Sequence, residues 1–178
     1  MTSPAKKLLL LRGVNVSGAN RLPMPEFRTL LEELGLGQVE THLQSGNAVF
    51  DDPGVADLPA KIAAQMRLRF GFAPALFFLD APAHAAIVAG CPFKTEGAAD
   101  PTSVHVWYLA APLKADLGAV MALAKGERLT RTDAALYLHA PDGLGRSALV
   151  AKLERVLESG ATARNWRSVQ AIAALLGA

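Results

Sequence analysis

The sequence predicts an α+β protein built from two ferredoxin-like halves packed together. Three observations predict it. The apolar pattern alternates between strand and helix periods in the order β-α-β-β-α-β, which is the split-βαβ arrangement. That order starts again after residue 102. The first strand is apolar on both faces (Leu8 and Leu10; Leu9 and Leu11), so a sheet with helices on one side only would leave one face bare. The second half is the simplest cover, which favours one compact body over two beads on a linker.

Each element has a local reason. Lys6–Arg12 is a short apolar run followed by turn residues and reads as a buried strand. From Pro25 the spacing becomes helical. Met24, Phe27, Leu30, Leu31 and Leu34 share one face, and Gly35 ends it. Val39, Thr41 and Leu43 then alternate with Glu40, His42 and Gln44, a strand with two distinct faces. Ser45-Gly46 is a two-residue turn signal, and Asn47–Phe50 returns as the partner strand. Leu58, Ile62, Met66 and Phe70 mark a second amphipathic helix, capped by Gly71, and Ala75–Leu79 is another strand.

The predicted organisation is therefore a first half over 1–80, a connection over 81–102, and a second half over 103–178. The connection holds a short helix, Ala83–Ala89, and a polar stretch ending at Asp100-Pro101. In the second half Val104–Leu109 is a strand, and Leu113, Leu117, Val120 and Met121 make a helix. Arg128–Thr130 and Leu136–His139 make a hairpin. Ser147 caps a helix with Leu149, Val150, Leu153, Val156 and Leu157 on one face. The final strand that would complete this half is expected to be missing, with an extra helix, Trp166–Leu176, in its place. The repeat is one of pattern, not of residue identity.

Composition excludes several classes. Of 178 residues 51% are hydrophobic, and the net charge is +2, too small to pull the chain toward nucleic acid or a membrane by itself. Residues 144–178 are mildly basic, with five basic and two acidic side chains, the usual look of a solvated helix face. One cysteine, Cys91, allows neither an intrachain disulfide nor a thiolate zinc site. Lys6 and Lys7 before Leu8–Leu11 resemble the start of a signal peptide, but the apolar run is too short and Arg12 ends it. No window approaches the roughly 20 apolar residues of a membrane span. A soluble chain in the cytoplasm is the expectation, with no membrane partner.

The topology brings polar residues together. In a split βαβ the end of strand one, the start of helix one and the hairpin between strands two and three share one edge of the sheet. The connection Arg12-Gly13-Val14-Asn15-Val16-Ser17-Gly18-Ala19-Asn20-Arg21 runs to ten residues where about four to six is usual. It holds two Arg, two Asn, two Gly and no acid. Gln44-Ser45-Gly46-Asn47 faces it, and helix one adds unpaired N–H groups. Arg12, Asn15, Asn20, Arg21, Gln44, Ser45 and Asn47 are therefore candidate ligand-binding residues for an anion: a phosphate, a carboxylate or a nucleic-acid backbone. The alternative is local: Ser45-Gly46 is a tight turn, and Asn15 and Asn20 cap loop carbonyls.

Four blocks of this chain resemble a bacterial family catalogued as domain of unknown function 1697. They are Leu10-Leu11-Arg12-Gly13-Val14-Asn15-Val16-Ser17-Gly18-Ala19-Asn20-Arg21-Leu22-Pro23-Met24, Leu30-Leu31-Glu32-Glu33-Leu34-Gly35, Gln44-Ser45-Gly46-Asn47, and the late stretch Thr162-Ala163-Arg164-Asn165-Trp166-Arg167-Ser168. The resemblance implies a doubled ferredoxin-like architecture and brings no activity with it. The family's first loop commonly reads Gly-Gly-Lys-Asn-Lys where this chain has Ser17-Gly18-Ala19-Asn20-Arg21, so one basic side chain is absent at Ala19.

Other motifs carry less. Gly13 and Gly18 have the spacing of a phosphate-binding P-loop, but Ala19-Asn20 stands where Lys-Ser/Thr must reach phosphate and magnesium. Pro141-Asp142-Gly143-Leu144-Gly145-Arg146-Ser147 reads as turn plus N-cap. His42, His84, His105 and His139 lack close metal-ligand spacing, and no metal or cofactor is implied. Cys91 beside Pro92, with His84 upstream, could form a thiolate dyad; a buried structural thiol is the commoner outcome. Arg164, Asn165 and Trp166 form a second candidate ligand-binding group, since a Trp between two Arg can stack on a base. The favoured alternative has Thr162 capping the last helix and Trp166 in the core.

Three functions are compatible with these residues. The first is a binding protein whose first loop and hairpin hold an anionic small molecule or nucleic acid. The second is an enzyme acting on a small phosphorylated or carboxylated metabolite at the same edge, with His42 its nearest titratable group. The third is a structural or interaction module in which the loop is hydrogen-bonded within itself.

Overall fold

The computed structural model describes residues 5–158 and 160–177. The chain divides into two compact units: the part up to Ala86 together with the segment from Ala171, and Ile87–Gln170.

In the first unit β1 (Ala5–Leu11), α1 (Met24–Glu33), β2 (Gly37–His42), β3 (Asn47–Asp52), α2 (Leu58–Phe70) and β4 (Leu76–Asp80) follow in order. The sheet order is β2-β3-β1-β4 and every neighbour is antiparallel, as a ferredoxin-like unit requires. Leu9 and Leu11 join Phe27, Leu30, Leu31, Phe50, Ile62 and Met66 in one buried cluster. Leu8, Leu10 and Val49, on the opposite face, are buried as completely. Lys6 Nζ donates to the Leu175 carbonyl at 2.7 Å, tying β1 to the returning C-terminal segment.

The second unit repeats the plan. The helix α3 (Ala81–Gly90) crosses the boundary at Ala86/Ile87, and α4 (Lys94–Ala99) follows it. Then come β5 (Val104–Leu109), α5 (Gly118–Met121), β6 (Arg128–Arg131), β7 (Ala135–His139), α6 (Ala148–Leu157), β8 (Ala161–Asn165) and α7 (Trp166–Leu176). The sheet order is β6-β7-β5-β8, again antiparallel throughout. Trp107, Leu136, Leu138, Leu149, Leu153, Leu157 and Ala161 form its core. Trp107 Nε1 donates to Glu154 Oε1 at 2.7 Å, which gives the buried indole N–H a partner.

The two units share specific hydrogen bonds as well as topology. At the end of β1 the Leu11 N–H donates to the Gly46 carbonyl at 2.8 Å, and the Arg12 N–H to Ala75 at 3.1 Å. At the end of β5 the Leu109 N–H donates to Ala134 at 3.0 Å, and the Ala110 N–H to Gly160 at 2.9 Å. The central strand of each unit is thus closed in the same way, against its hairpin on one side and its last strand on the other.

Four sequence expectations are corrected. The missing final strand exists: β8 pairs with β5 from His105↔Asn165 to Leu109↔Ala161. Ala-Thr-Ala-Arg-Asn has weak strand propensity, and burial of Ala161 and Thr162 beside β5 overrides it. The helix over Leu113–Met121 shrinks to the single turn of α5, because the Asp116 carboxylate accepts from the Gly118 N–H and starts the turn there. The polar stretch before Asp100 contains a helix, α4. The first hairpin reverses over four residues, 43–46, because the last pair is His42↔Asn47.

Packing around α4 is tight. Trp166 is buried, and a Cβ built on Gly97 would lie 2.5 Å from Trp166 Cδ1. Gly97→Ala should lower stability by about 1–3 kcal/mol despite the better helix propensity of Ala. A lower urea midpoint at unchanged m-value would show it; an unchanged midpoint would contradict this packing.

Candidate functional site

The first loop is a miniature hairpin. Ser17 (φ 50°) and Gly18 (φ 79°) both adopt positive φ between Val16 and Ala19, the pattern of a tight two-residue turn. The Ala19 N–H donates to the Val16 carbonyl at 2.9 Å, and the Asn15 N–H to Asn20 at 3.1 Å. Asn15 and Asn20 are themselves left-handed (φ 54° and 49°), a conformation Asn tolerates better than other side chains.

Asn15 holds this miniature hairpin in place. Its Oδ1 accepts from the Leu22 N–H at 2.8 Å, and its Nδ2 donates to the Leu22 carbonyl at 2.9 Å and to the Gln44 carbonyl at 2.8 Å. One amide therefore joins the start of the loop, its end and the β2–β3 turn. Asn20 Nδ2 donates to the Gly13 carbonyl at 3.0 Å. Asn47 is buried, with Nδ2 donating to the His42 carbonyl and to Ser45 Oγ, each at 2.8 Å. Gly46 (φ 74°) can be nothing larger, since a Cβ there would lie 2.7 Å from Leu11 Cβ and 2.8 Å from Val14 Cγ2. The two halves of the predicted edge are in direct contact.

What the edge presents to solvent is a smaller set. Arg21 is exposed and makes no hydrogen bond or ion pair among the described residues. Arg12 is half-buried at the root of the loop, and Gln44 is exposed in the β2–β3 turn. Val16 and Leu43 are exposed apolar side chains, at 57% and 56%. No Asp or Glu occurs before Glu26, which sits in the first turn of α1. That turn has no side-chain cap, and Pro23 and Pro25 remove two of its N–H groups. His42 is half-buried, and its Nε2 is buried with no hydrogen-bond partner among the described residues.

The second candidate group lies in the second unit and is largely internal. Arg164 is only 7% exposed; its guanidinium donates to Thr162 Oγ1 at 2.9 Å and to the Ala163 carbonyl at 2.7 Å. Burial lowers its pKa to about 10, which still leaves it charged near neutrality. Trp166 is buried against Gly97 rather than displayed for stacking. The cap of α7 is Asn165, not Thr162: Asn165 Oδ1 accepts from the Ser168 N–H at 3.0 Å. Thr162 instead accepts from Arg164.

The remaining motifs have structural partners. Burial raises the pKa of the Cys91 thiol and lowers that of His84 to about 4, so neither is tuned toward a thiolate–imidazolium pair. Ser147 Oγ accepts from the Val150 N–H at 3.2 Å and donates to the Glu127 carboxylate, the N-cap read from the sequence. Among the described residues no group of three His, Cys, Asp or Glu is placed to hold a metal ion, and no helix is long and apolar enough to cross a membrane.

No curated protein matches the sequence. Among solved structures the chain is similar to the conserved bacterial protein SP0830 from Streptococcus pneumoniae, at 23% identity and a TM-score of 0.75, covering 99% of this chain and 100% of that one. That likeness concerns the fold. The family model described as "protein of unknown function (DUF1697)" matches residues 5–137, which include the first loop and hairpin and stop short of Thr162–Ser168. With both sheets begun inside that match and the loop–hairpin edge wholly within it, the chain belongs to the DUF1697 family.

Proposed function

We propose that the Arg12–Arg21 loop and the 43–46 turn form a preorganised binding edge for an anionic group, of the kind carried by a phosphorylated small molecule or a nucleic-acid backbone. The observation that carries the reading is Arg21, an exposed guanidinium with no partner among the described residues, on a loop immobilised by Asn15 and free of acids. In this reading Asn15, Asn20 and Asn47 shape the edge, because their amides are already engaged within it. Arg21 and Arg12 supply the charge, and the Ser17 and Gly18 N–H groups at the exposed tip can add main-chain donors. The same clasp also fits a purely structural role, and the two readings separate on Arg21, which the clasp does not use.

Binding should be modest and should weaken with salt, as contacts to phosphate do. Titration of the protein with nucleotides and short oligonucleotides at low salt should give saturable binding that Arg21→Ala reduces by about tenfold or more. No binding of any of these by the unmodified protein would remove the proposal. Ala19→Lys, which restores the basic residue of the family pattern on an exposed position, should tighten the same binding several-fold. Asn15→Ala should cost about 1–3 kcal/mol of stability in urea denaturation and weaken binding without removing any charge.

A further inference from the structure

Five large apolar side chains are exposed among the described residues, and two of them, Val16 and Leu43, stand on the loop–hairpin edge. They belong to different segments. The bond from Asn15 Nδ2 to the Gln44 carbonyl, at 2.8 Å, sets those segments side by side, and each apolar residue is next in sequence to one end of it. We propose, on the reading of this edge as an anion site, that its ligand is single-stranded nucleic acid: Arg21 meets a phosphate, and Val16 and Leu43 pack against the faces of the bases.

Leu43 is the sharper observation. Its φ is 56°, in the left-handed region where a Cβ crowds the following carbonyl and which Gly, Asn and Asp tolerate better. Burial does not compensate, because the side chain is 56% exposed. Asn at this position would relieve the backbone and expose less apolar surface. The leucine is therefore a cost to the folded chain that a contact outside the chain can offset. Val16, 57% exposed, flanks the turn at Ser17 and Gly18 and presents a second apolar side chain on the neighbouring segment.

Shape and charge select the partner. Every residue from Val16 to Arg21 is exposed, as are Leu43 and Gln44, so the edge projects two turn tips. Small-molecule sites are concave, whereas a chain carrying a phosphate and a flat base at each step can lie across a projecting edge. The bases must be unpaired, since in a duplex their faces are stacked on one another. A net charge of +2 does not supply the broad field that duplex binding draws on. The local charge still suits a polyanion, because no Asp or Glu occurs before Glu26. Asn15 uses the main chain of Gln44, so the exposed Gln44 side chain adds an amide that can pair with a base edge. An anionic membrane is the poorer fit: two Arg and two separate apolar tips fall short of the basic cluster or continuous apolar face that holds a protein to lipid.

Fluorescence anisotropy on the full chain at low salt compares octathymidylate with an abasic deoxyribose-phosphate chain of the same length. Octathymidylate is expected to bind about tenfold or more tightly than the abasic chain. Leu43→Asn should raise the urea midpoint, weaken octathymidylate binding about fivefold and leave abasic binding within about twofold. Val16→Ser should weaken octathymidylate binding to a similar degree, whereas Arg21→Ala should weaken both chains alike. Equal affinity for the two chains would leave the anion site standing and overturn this proposal; failure of both to bind would remove the anion site with it. Tighter binding to a duplex of the same length, tighter binding to phosphatidylserine vesicles, or octathymidylate binding unchanged by both Leu43→Asn and Val16→Ser would also overturn it.

Discussion

Four leucines in a row, Leu8–Leu11, are removed from water on both faces of β1. Each contributes on the order of 2 kcal/mol by burial, and together they fix β1 as the central strand of its sheet. A strand buried on both sides has no solvent to satisfy the backbone where it ends. The Leu11 and Arg12 N–H groups must therefore find carbonyls at once, and they find Gly46 and Ala75. Those two bonds bring the β2–β3 turn and the approach to β4 up against the end of β1. The candidate edge exists because the core strand has to be closed there.

Closing the strand creates the next constraint. The chain leaving Arg12 must return to start α1 at Met24 over the outside of that turn, and it carries its own unsatisfied polar groups. Asn15 resolves much of this with one side chain that serves Leu22 and Gln44 together. The conformational cost is visible in Asn15, Ser17, Asn20 and Leu43, all non-glycine residues at positive φ. Each such residue costs about 1 kcal/mol or more, so the hydrogen bonds have strain to offset.

Much of the fold was legible because it rests on period. Met24, Phe27, Leu30 and Leu31 form a helical stripe, and the β2 and β3 runs read as paired strands, so the sheet order followed from the chain order. β8 was not legible. Its inward residues are Ala161 and Ala163, small because Trp107 occupies the space across from them at the Trp107↔Ala163 pair, and small residues carry no strand signal. The meeting of loop and hairpin followed from topology alone. The role of Asn15 could not, because its partner Gln44 lies 29 positions away and accepts through its main chain. The ion pair of Arg128 with Glu96 was hidden for a different reason: it forms only because residues 94–99 coil into α4, a stretch whose Gly and polar residues read as a linker.

The comparison of the two units gives the first loop its interest. Leu109 and Ala110 repeat the hydrogen bonds of Leu11 and Arg12, so the loop after β5 meets the same closing problem. It solves it in the opposite sense. In the second unit Arg131, at the end of β6, donates to the Leu113 and Ala115 carbonyls at 3.3 and 3.0 Å, reaching from the hairpin to the loop. In the first unit the neutral amide of Asn15 reaches from the loop to the hairpin. A cation is consumed by the clasp in one unit; in the other an amide does the fastening and Arg21 stays outside it. Closure of the central strand therefore does not depend on the Arg21 guanidinium, and the second unit makes the same two backbone bonds with Ala110 where the first has Arg12.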